Sequence, residues 1–468
     1  MESSNILEFA VLGHPNEGKS SVVSTLTEND RIEVSRFPGE TIVSKTYTVS
    51  IDNEPVIRFI DTPGFQVPIQ TLKWFKAYDR NPLKIVEEFI SEFQNHPFFA
   101  DECQLLAPVA KGAGIIYVVN GSRPVRSEDL AEMEILRLTG CPRMAVINSK
   151  TDSMDHIENW QAEFRKHFNS IRIFNSNTAD FNERIRMLES LRAIDQSWES
   201  ELDRVVRIFN SEMSRRRNLV CAYIVQAIEK SIGLVVSASV DSGSDLELMK
   251  EKLLRQYERK IRDIEAKLFS DIRSLFKHTL YDVSIVGNNI LNHDLFSGKT
   301  WEVLGLTKLQ LAGAGAFVGG SMGIMADLAS HGISLGAFTL AGGLMGAGSA
   351  VWGGKKLAAS LKHIKIGGDQ LKLGPNKNLQ FIYVLLDRAL IYYSHIINRP
   401  HGKRDSLKEE DNPEKKGISS KLTSSQRSVC AEFFNSISRG HKKDKNRRLF
   451  TSLVKELVDF LSDSKDFS

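Results

Sequence analysis

The stretch that decides the fold is GHPNEGKS, residues Gly13–Ser20. It has the complete G-x-x-x-x-G-K-S form of a phosphate-binding loop, follows the apolar run Phe9–Leu12 and leads into Ser21–Leu26, which is typical of a helix. Its two glycines let the backbone turn successive N–H groups toward a polyphosphate, and the dipole of the following helix assists them. The sequence therefore predicts a nucleoside triphosphate site in an α/β domain.

Two side chains of this loop have predicted roles of their own. Lys19 is expected to reach the β- and γ-phosphates, and the Ser20 hydroxyl is expected to hold Mg²⁺. The remaining loop residues are expected to contact the nucleotide mainly through the backbone. The predicted contact set is Gly13, His14, Pro15, Asn16, Glu17, Gly18, Lys19, Ser20 and Ser21.

A second candidate region follows the apolar run Val56–Ile60, which ends in Asp61-Thr62-Pro63-Gly64. The Asp61 carboxylate can accept from a metal-bound water, and the Gly64 N–H can bind a γ-phosphate and report its presence. Between the two motifs, Thr41 is predicted to close over Mg²⁺ as a switch hydroxyl. Lys19, Thr41 and Gly64 are thus candidate catalytic residues, and Ser20, Thr41 and Asp61 are the predicted magnesium ligands.

Two further apolar runs, Gly114–Val119 and Met144–Ile147, predict buried parallel strands because they are rich in β-branched residues. The second run leads into Asn148-Ser149-Lys150-Thr151-Asp152. Together these features predict a P-loop domain with a mostly parallel sheet flanked by helices.

The motifs GHPNEGKS, PGET, DTPG and SKTD resemble, in order and spacing, those of TrmE–Era–EngA–septin-like GTPases, from residue 5 to residue 178. The resemblance implies a G domain that binds GTP or GDP with Mg²⁺ and hydrolyses GTP. In that class the fourth motif is N-K-x-D, whose aspartate pairs with guanine and whose lysine packs over the base. Lys150 and Asp152 match it, but Ser149 stands where asparagine is usual and Asn148 comes one residue early. Guanine preference is therefore expected to depend mainly on Asp152.

Two segments could supply the fifth motif, which is usually S-A-K. Asn175-Ser176-Asn177 follows a predicted strand at Ile171–Phe174 and is a degenerate match. Ser237-Ala238-Ser239 is closer to the consensus but lies farther from Asp152. We favour Asn175 and Ser176 as nucleotide-binding residues.

Two residues bear on the rate of hydrolysis. Asn16 matches an asparagine that resembling GTPases use to coordinate K⁺, which implies a K⁺ site and adds Asn16 to the candidate catalytic residues; the alternative is that Asn16 only shapes the loop. Phe65 follows DTPG where Ras-like proteins keep a glutamine that orients water, and Gln66 is one residue out of place. Intrinsic hydrolysis is expected to be slow unless K⁺, G-domain dimerisation or a partner completes the site.

The segment between Phe65 and Gly114 is longer than a compact G domain needs, and its spaced aromatic residues predict helices. An insertion beside the γ-phosphate sensor could transmit the nucleotide state, or it could be a passive addition. Both interpretations remain open from the sequence.

The second half of the chain predicts mainly helices. The most regular is Leu246–Leu275, either one helix of a bundle core or a coiled-coil partner surface. We predict a G domain at 1–195, a long-helix region at 196–300 and a helical C-terminal domain at 301–468.

The segment 311–354 is rich in glycine and apolar residues and predicts a hairpin. Gly315, Gly319 and Gly323 repeat at every fourth position, which lets two helices approach closely. The hairpin could dock on or enter a membrane, or pack within a soluble domain. Together with Thr300–Lys308, it is similar to the C-terminal domain of a bacterial group of Era-like GTPases whose added region has no assigned function.

Composition describes an ordinary globular protein: 468 residues, 41% hydrophobic, 25% charged and a net charge of +3. Four dispersed cysteines indicate neither a zinc site nor a disulfide framework, and we predict a cytoplasmic protein, peripheral or inserted at the inner membrane if the hairpin docks there. The leading hypothesis is a GTP-hydrolysing switch that controls a helical effector domain. One alternative is a GTP-dependent RNA or ribosome-assembly factor, although no basic G-x-x-G loop is visible. Another is a nucleotide-stabilised scaffold.

Overall fold

The computed structural model describes residues 6–29, 31–32, 44–148, 155–240, 245–278, 290–307, 310–311, 313–314, 365–367, 370–399, 417–440 and 444–463. These residues fall into two compact units. The first draws on Met1–Ser214 with the short pieces Lys277–Leu280 and Ile397–Asp405, and the second draws on the rest of the chain.

The first unit is built on a six-stranded sheet, in which β2 is antiparallel and all other neighbours are parallel. Its strands are β1 (Glu8–Leu12), β2 (Lys45–Ile51), β3 (Glu54–Asp61), β4 (Gly114–Asn120), β5 (Arg143–Asn148) and β6 (Ser170–Ile173). The order across the sheet is β2-β3-β1-β4-β5-β6. The predicted strands are confirmed, and because parallel strands end at one edge of a sheet, the loops after β1, β3 and β5 meet there.

Helices cover both faces of this sheet, and each face has its own apolar core. The helices are α1 (Lys19–Thr27), α2 (Pro68–Ala77), α3 (Ile85–Phe93), α4 (Ala100–Ala110), α5 (Ser127–Leu138), α6 (Ile157–His167), α7 (Phe181–Arg192) and α8 (Glu199–Gly233). Helix α8 continues into the second unit, since the division falls between Ser214 and Arg215.

The predicted helical insertion is confirmed as α2, α3 and α4, with short 3-10 helices at Pro82–Lys84 and Pro97–Phe99. Its aromatic residues form one cluster rather than a scatter of surface rings. Phe89 is fully buried at its centre, with ring centroids of Trp74 at 5.2 Å, Phe75 at 5.4 Å and Phe93 at 5.0 Å. The insertion is therefore a packed part of the G domain.

The second unit is mainly helical, as predicted, and holds α9 (Leu246–Leu275), α10 (Gly298–Val303), α11 (Gln380–Ile397), α12 (Ser424–Ser438) and α13 (Asp444–Asp463). It also contains a small antiparallel sheet that the helical patterns did not predict. Its strands are β7 (Val236–Ser239), β8 (Lys365–Gly367) and β9 (Gln370–Leu373), in the order β7-β9-β8. Strands of three or four residues are too short to show a clear period in the sequence.

Helix α9 begins and ends where the sequence predicted, and Asp245 caps it by accepting from the N–H groups of Glu247 and Leu248. Its apolar stripe is buried within the second unit. Leu253, Tyr257, Ile261, Leu268 and Ile272 are all buried, which favours the bundle-core interpretation.

Helix α11 is buried over most of its length, is apolar nearly all round and still carries Asp387 and Arg388. Asp387 accepts from the Ser419 N–H at 2.6 Å, the Ser419 hydroxyl at 2.7 Å and the Gly305 N–H at 2.7 Å. Burial raises the pKa of Asp387 to about 6, while these hydrogen bonds oppose the shift. A Cβ atom at Gly417 would lie 2.0 Å from this carboxylate, so the network also requires glycine there.

Nearly all of the glycine-rich segment 311–354 lies outside the described residues, so the predicted hairpin stays a prediction. Within the part of the chain that the structure describes, we find no helix long and apolar enough to cross a bilayer.

Candidate nucleotide-binding site

The phosphate loop connects β1 to α1 at the edge where the parallel strands end. Gly13 and Gly18 have φ of 140° and 94°, which side chains rarely adopt. A Cβ atom on Gly13 would lie 2.3 Å from the Val118 carbonyl oxygen, so the loop packs directly on β4. Asn16 is exposed with a φ of 68°, a conformation that asparagine tolerates. Both interpretations of Asn16 are compatible with this geometry.

The Lys19 side chain is buried beneath the loop. Its Nζ donates to the carbonyl oxygens of Gly13 at 3.1 Å and His14 at 3.0 Å. Burial lowers the pKa of Lys19, and the nearby carboxylates Asp61, Glu132 and Glu17 oppose this shift. The fold thus holds an ammonium group against the loop expected to cradle phosphates.

Ser20 and Asp61 meet at the opening of α1, as the two motifs predicted. The Ser20 hydroxyl donates to Asp61 Oδ2 at 2.7 Å, whereas Asp61 Oδ1 is buried without a hydrogen-bond partner among the described residues. Burial raises the pKa of Asp61, while the Ser20 bond and Lys19 oppose the shift. A hydroxyl beside a carboxylate with an unused oxygen suits the oxygen-preferring Mg²⁺. Thr41, the third predicted ligand, lies outside the described residues.

The DTPG segment packs directly against the phosphate loop. Thr62 donates to the Val11 carbonyl at 2.7 Å, and a Cβ atom on Gly64 would lie 2.4 Å from the backbone nitrogen of Pro15. Phe65 is fully buried in the core on the insertion side of the sheet. The exposed neighbour Gln66 extends into solvent, with its Nε2 3.5 Å from the Gly64 carbonyl.

Two buried acidic side chains, Glu17 of the loop and Asp129 of α5, are joined through Arg123, a partner that the sequence motif did not reveal. Glu17 is bound by Arg123, and Arg123 also makes a two-pronged pair with Asp129 at 2.6 and 2.7 Å. Arg123 lies 5.1 Å from the Trp160 ring centroid, which adds a cation–π contact. The side chain of Glu17 is therefore a structural tie rather than a phosphate contact.

His14 has a comparable role. Its Nδ1 lies 2.8 Å from Oε1 of the fully buried Glu132, which also accepts from the Tyr117 hydroxyl at 2.8 Å. The hydrogen bond with Glu132 raises the pKa of His14, and burial raises that of Glu132. The Nδ1 atom of His14 is thus engaged with Glu132, and we expect the backbone of His14 to make the predicted loop contacts.

Asn148, at the end of β5, is a residue that sequence reasoning noticed but did not assign. Its Nδ2 donates to the Glu17 carbonyl at 3.2 Å, and its Oδ1 accepts from the N–H and hydroxyl of Ser176 at 3.2 and 3.0 Å. It therefore bridges the phosphate loop and the segment after β6. The position of Asn148 at a strand's carboxyl end was the available signal.

The two fifth-motif candidates fall in different units. Asn175 and Ser176 follow β6, and the buried Ser176 also accepts at its carbonyl from Thr25 of α1 at 3.1 Å. Ser237 and Ala238 lie in β7, paired with β9 in the second unit. This placement favours Asn175 and Ser176. Ser149, Lys150 and Asp152 lie outside the described residues.

Replacing Asn148 with alanine is expected to weaken nucleotide binding. The Glu17 carbonyl and the Ser176 N–H would lose their buried partner, at about 1–3 kcal/mol in total, or about 5- to 150-fold in affinity if the loss falls on the bound state. Titration calorimetry with GDP and Mg²⁺ measures this. Asn210→Ala, at an exposed position of α8, is the control. An unchanged affinity in Asn148→Ala would contradict the bridging role.

The first unit is a P-loop G domain of the TrmE–Era–EngA type. Four features together define it: the strand order, the phosphate loop, the DTPG segment and the bridging asparagine. Residues 8–149 match the family described as 50S ribosome-binding GTPase. Residues 161–459, more than half of the chain, match a second family, described as Domain of unknown function (DUF3482). The chain belongs to this DUF3482 family.

Individual relatives match only over part of their length. The tRNA modification GTPase MnmE of Mycoplasmoides gallisepticum is 28% identical over 96 residues, which are 19% of this chain and 21% of the relative. GTPase Der of a Thermotoga species is 22% identical over 209 residues, which are 45% and 40% of the two chains. This chain thus spans less than half of either relative.

Among solved structures, a single-residue variant of Era from Aquifex aeolicus bound to GDP·AlF4⁻ matches with a TM-score of 0.27 and 15% identity, over 50% of this chain and 72% of that one. Era in complex with MgGDPNP and a fragment of 16S ribosomal RNA matches with a TM-score of 0.28 and 13% identity, over 59% and 91% of the two chains.

Proposed function

We propose that this protein is a molecular switch that binds GTP with Mg²⁺, hydrolyses it slowly, and uses the nucleotide state to control its helical C-terminal region. The observation that carries this proposal is the buried Lys19 ammonium beside the Ser20–Asp61 pair. In this arrangement Lys19 neutralises phosphate charge, the loop amides bind the phosphates, and Ser20 with Asp61 and Thr41 would hold Mg²⁺. Magnesium, when bound, would supply further neutralisation of the phosphate charge.

Guanine preference is part of the proposal and depends on Asp152, with Lys150 and Ser149 beside the base. The deciding experiment is titration calorimetry of the full-length protein with GTP, GDP and ATP, each with Mg²⁺. Saturable binding of guanine nucleotides that ATP does not match supports the proposal. Absence of any saturable guanine nucleotide binding would refute it.

Each proposed domain has its own role. Residues 1–195 bind the nucleotide, residues 196–300 connect the two other domains, and residues 301–468 form the effector domain. Two separate family matches, to residues 8–149 and to residues 161–459, support a nucleotide-binding part followed by a second part. The protein acts in the cytoplasm, where the segment 311–354 and the neighbouring Lys355 and Lys356 dock on the inner membrane surface.

The membrane proposal predicts nucleotide-dependent binding to lipid. Full-length protein is expected to sediment with vesicles containing anionic phosphatidylglycerol in the presence of the analogue GMPPNP, and to sediment less in high salt because screening weakens the basic contacts. Vesicles of neutral lipid are the control. Retention by ribosomal RNA instead of vesicles would favour the RNA-factor alternative.

Hydrolysis is expected to depend on K⁺ if Asn16 is a cation ligand. A positioned cation compensates for the absent catalytic glutamine by neutralising transition-state charge, so phosphate release is expected to be roughly 10-fold faster in KCl than in NaCl. Asn16→Ala is expected to remove that difference. Equal rates in the two salts would contradict a K⁺ site at Asn16. In that case G-domain dimerisation or a partner would have to complete the catalytic site.

A further inference from the structure

The segment directly after DTPG is held by one side chain of the insertion. Glu102, on α4, accepts through a single oxygen from the N–H of Gln66 at 2.7 Å and from the N–H of Val67 at 2.6 Å. These two amides follow Gly64, whose own N–H is the predicted γ-phosphate sensor. Glu102 therefore binds the backbone within three residues of that sensor.

The environment of Glu102 is unusual for a carboxylate. Its side chain is completely buried, it makes no ion pair with any described residue, and its Oε2 has no hydrogen-bond partner among them. Burial raises the pKa of Glu102, while the two backbone bonds oppose the shift. A buried carboxylate costs free energy that two amide bonds only partly offset. A neutral residue would cost less here if the position only filled space.

Helix α4 also contacts the chain just after the other predicted switch segment. The Ser44 hydroxyl donates to the backbone carbonyl of Gln104 at 3.1 Å, and Ser44 lies three residues after Thr41. Residues 102 and 104 of one helix thus bind the backbone after DTPG and Ser44, which lies three residues after the PGET segment. A passive insertion would not need contacts to both.

The DTPG segment is packed so closely that it cannot move without affecting its neighbours. Gly64 fits against Pro15 without space for a side chain, and Phe65 is buried in the same apolar cluster as Phe75 and Phe89 of the insertion. Close-packed interiors respond to displacement by discrete rearrangement rather than by gradual deformation. A shift of Gly64 toward a γ-phosphate therefore either moves α2–α4 or breaks the Glu102 bonds.

We infer that Glu102 is a positioning residue that couples the DTPG segment to α4, so that the insertion α2–α4 changes its stability with the nucleotide state. This inference rests on the proposed function and describes how the nucleotide state of the same site is transmitted to the insertion. Glu102 touches no nucleotide and acts through the backbone of Gln66 and Val67. Of the two interpretations of the insertion, the geometry points to the transmitting one.

Amide hydrogen exchange of the full-length protein, with GDP and with GMPPNP in the presence of Mg²⁺, tests the inference. Exchange from α2 and α4 is expected to differ about 10- to 150-fold between the two nucleotides, since one backbone hydrogen bond to a charged group contributes about 1.5–3 kcal/mol. Glu102→Met, which lacks the acceptor, is expected to abolish the difference. Glu102→Gln keeps an acceptor oxygen and is expected to retain it.

Glu87→Met, at an exposed position of α3, removes the same charge from the insertion and is expected to behave as the wild type. Ser44→Ala removes the second contact, at a half-buried position. It is expected to reduce the difference in exchange between the two nucleotides without abolishing it. This variant keeps the test decisive if Glu102→Met does not fold. An undiminished difference in Glu102→Met, or in Ser44→Ala when Glu102→Met is unfolded, would overturn the inference. So would equal exchange with both nucleotides in a wild-type protein that binds them, whereas failure to bind either nucleotide would refute the proposed function itself.

Discussion

Lys19→Ala is expected to reduce the affinity for GTP and GDP by at least about 30-fold, since losing a charged hydrogen-bonding partner from a desolvated site costs about 2–5 kcal/mol. The structure gives a specific reason for the size of this loss of affinity. The Lys19 side chain is only 7% exposed, and its Nζ already lies against the loop carbonyls of Gly13 and His14. Little side-chain ordering therefore remains to oppose binding when a phosphate arrives.

The folded state should tolerate this substitution. Burial opposes the charged form of Lys19, so removing the ammonium removes a desolvation cost along with two hydrogen bonds. We therefore expect the thermal midpoint without nucleotide to change little, while the stabilisation that GTP confers disappears. Calorimetry and thermal denaturation with and without GTP measure the two effects separately. Lys166→Ala, which removes an exposed lysine on α6, is the control. Wild-type affinity in Lys19→Ala would mean that the nucleotide binds elsewhere.

Arg388→Met is expected to destabilise the protein by about 3–5 kcal/mol, because breaking a buried ion pair leaves an uncompensated charge. The guanidinium of Arg388 on α11 donates to both oxygens of Glu265 on α9, at 2.6 and 2.9 Å, and to the His293 carbonyl at 3.0 Å. The two side chains are 4% and 13% exposed. Chemical denaturation followed by circular dichroism, fitted for the second unit, measures the change.

A second substitution separates the charge from the loss of packing. Arg388→Met combined with Glu265→Leu replaces both charges with apolar groups of similar size and is expected to recover most of the lost stability. The exposed pair Arg255 and Glu251 on α9 is the matched control, and Arg255→Met there is expected to cost less than about 1 kcal/mol. If Arg388→Met were no more harmful than Arg255→Met, the buried pair would not stabilise the second unit.

Local features could be predicted from the sequence because their physical requirements are local. A phosphate loop needs left-handed glycines at fixed spacing, and Gly13 and Gly18 have them. Helix α9 was predictable to the residue because its stripe and its Asp245 cap follow from helical geometry alone. The parallel strands followed from their runs of β-branched residues in the same way.

Contacts between distant segments could not be predicted. Asn148 is 131 positions from its partner Glu17, Arg388 is 123 positions from Glu265, and Glu102 reaches back 36 positions to Gln66. Sequence spacing carries no information on such pairs, because which strands become neighbours depends on the packing of the whole sheet. The short sheet of β7, β8 and β9 was missed for a different reason, because strands of three or four residues show no clear period in the sequence.

The sequence by itself determined that a phosphate loop, a DTPG segment and a fourth-motif strand occur in the order of a G domain, since each is a short run with its own backbone geometry. Tertiary structure alone decided which side chains serve that site from a distance. Asn148 lies between the loop and Ser176, and the side chains of His14 and Glu17 bind other protein groups. Glu102 accepts from the two amides that follow DTPG. The physical reason is that buried polar groups must find partners, and only the folded chain determines which partners are within reach.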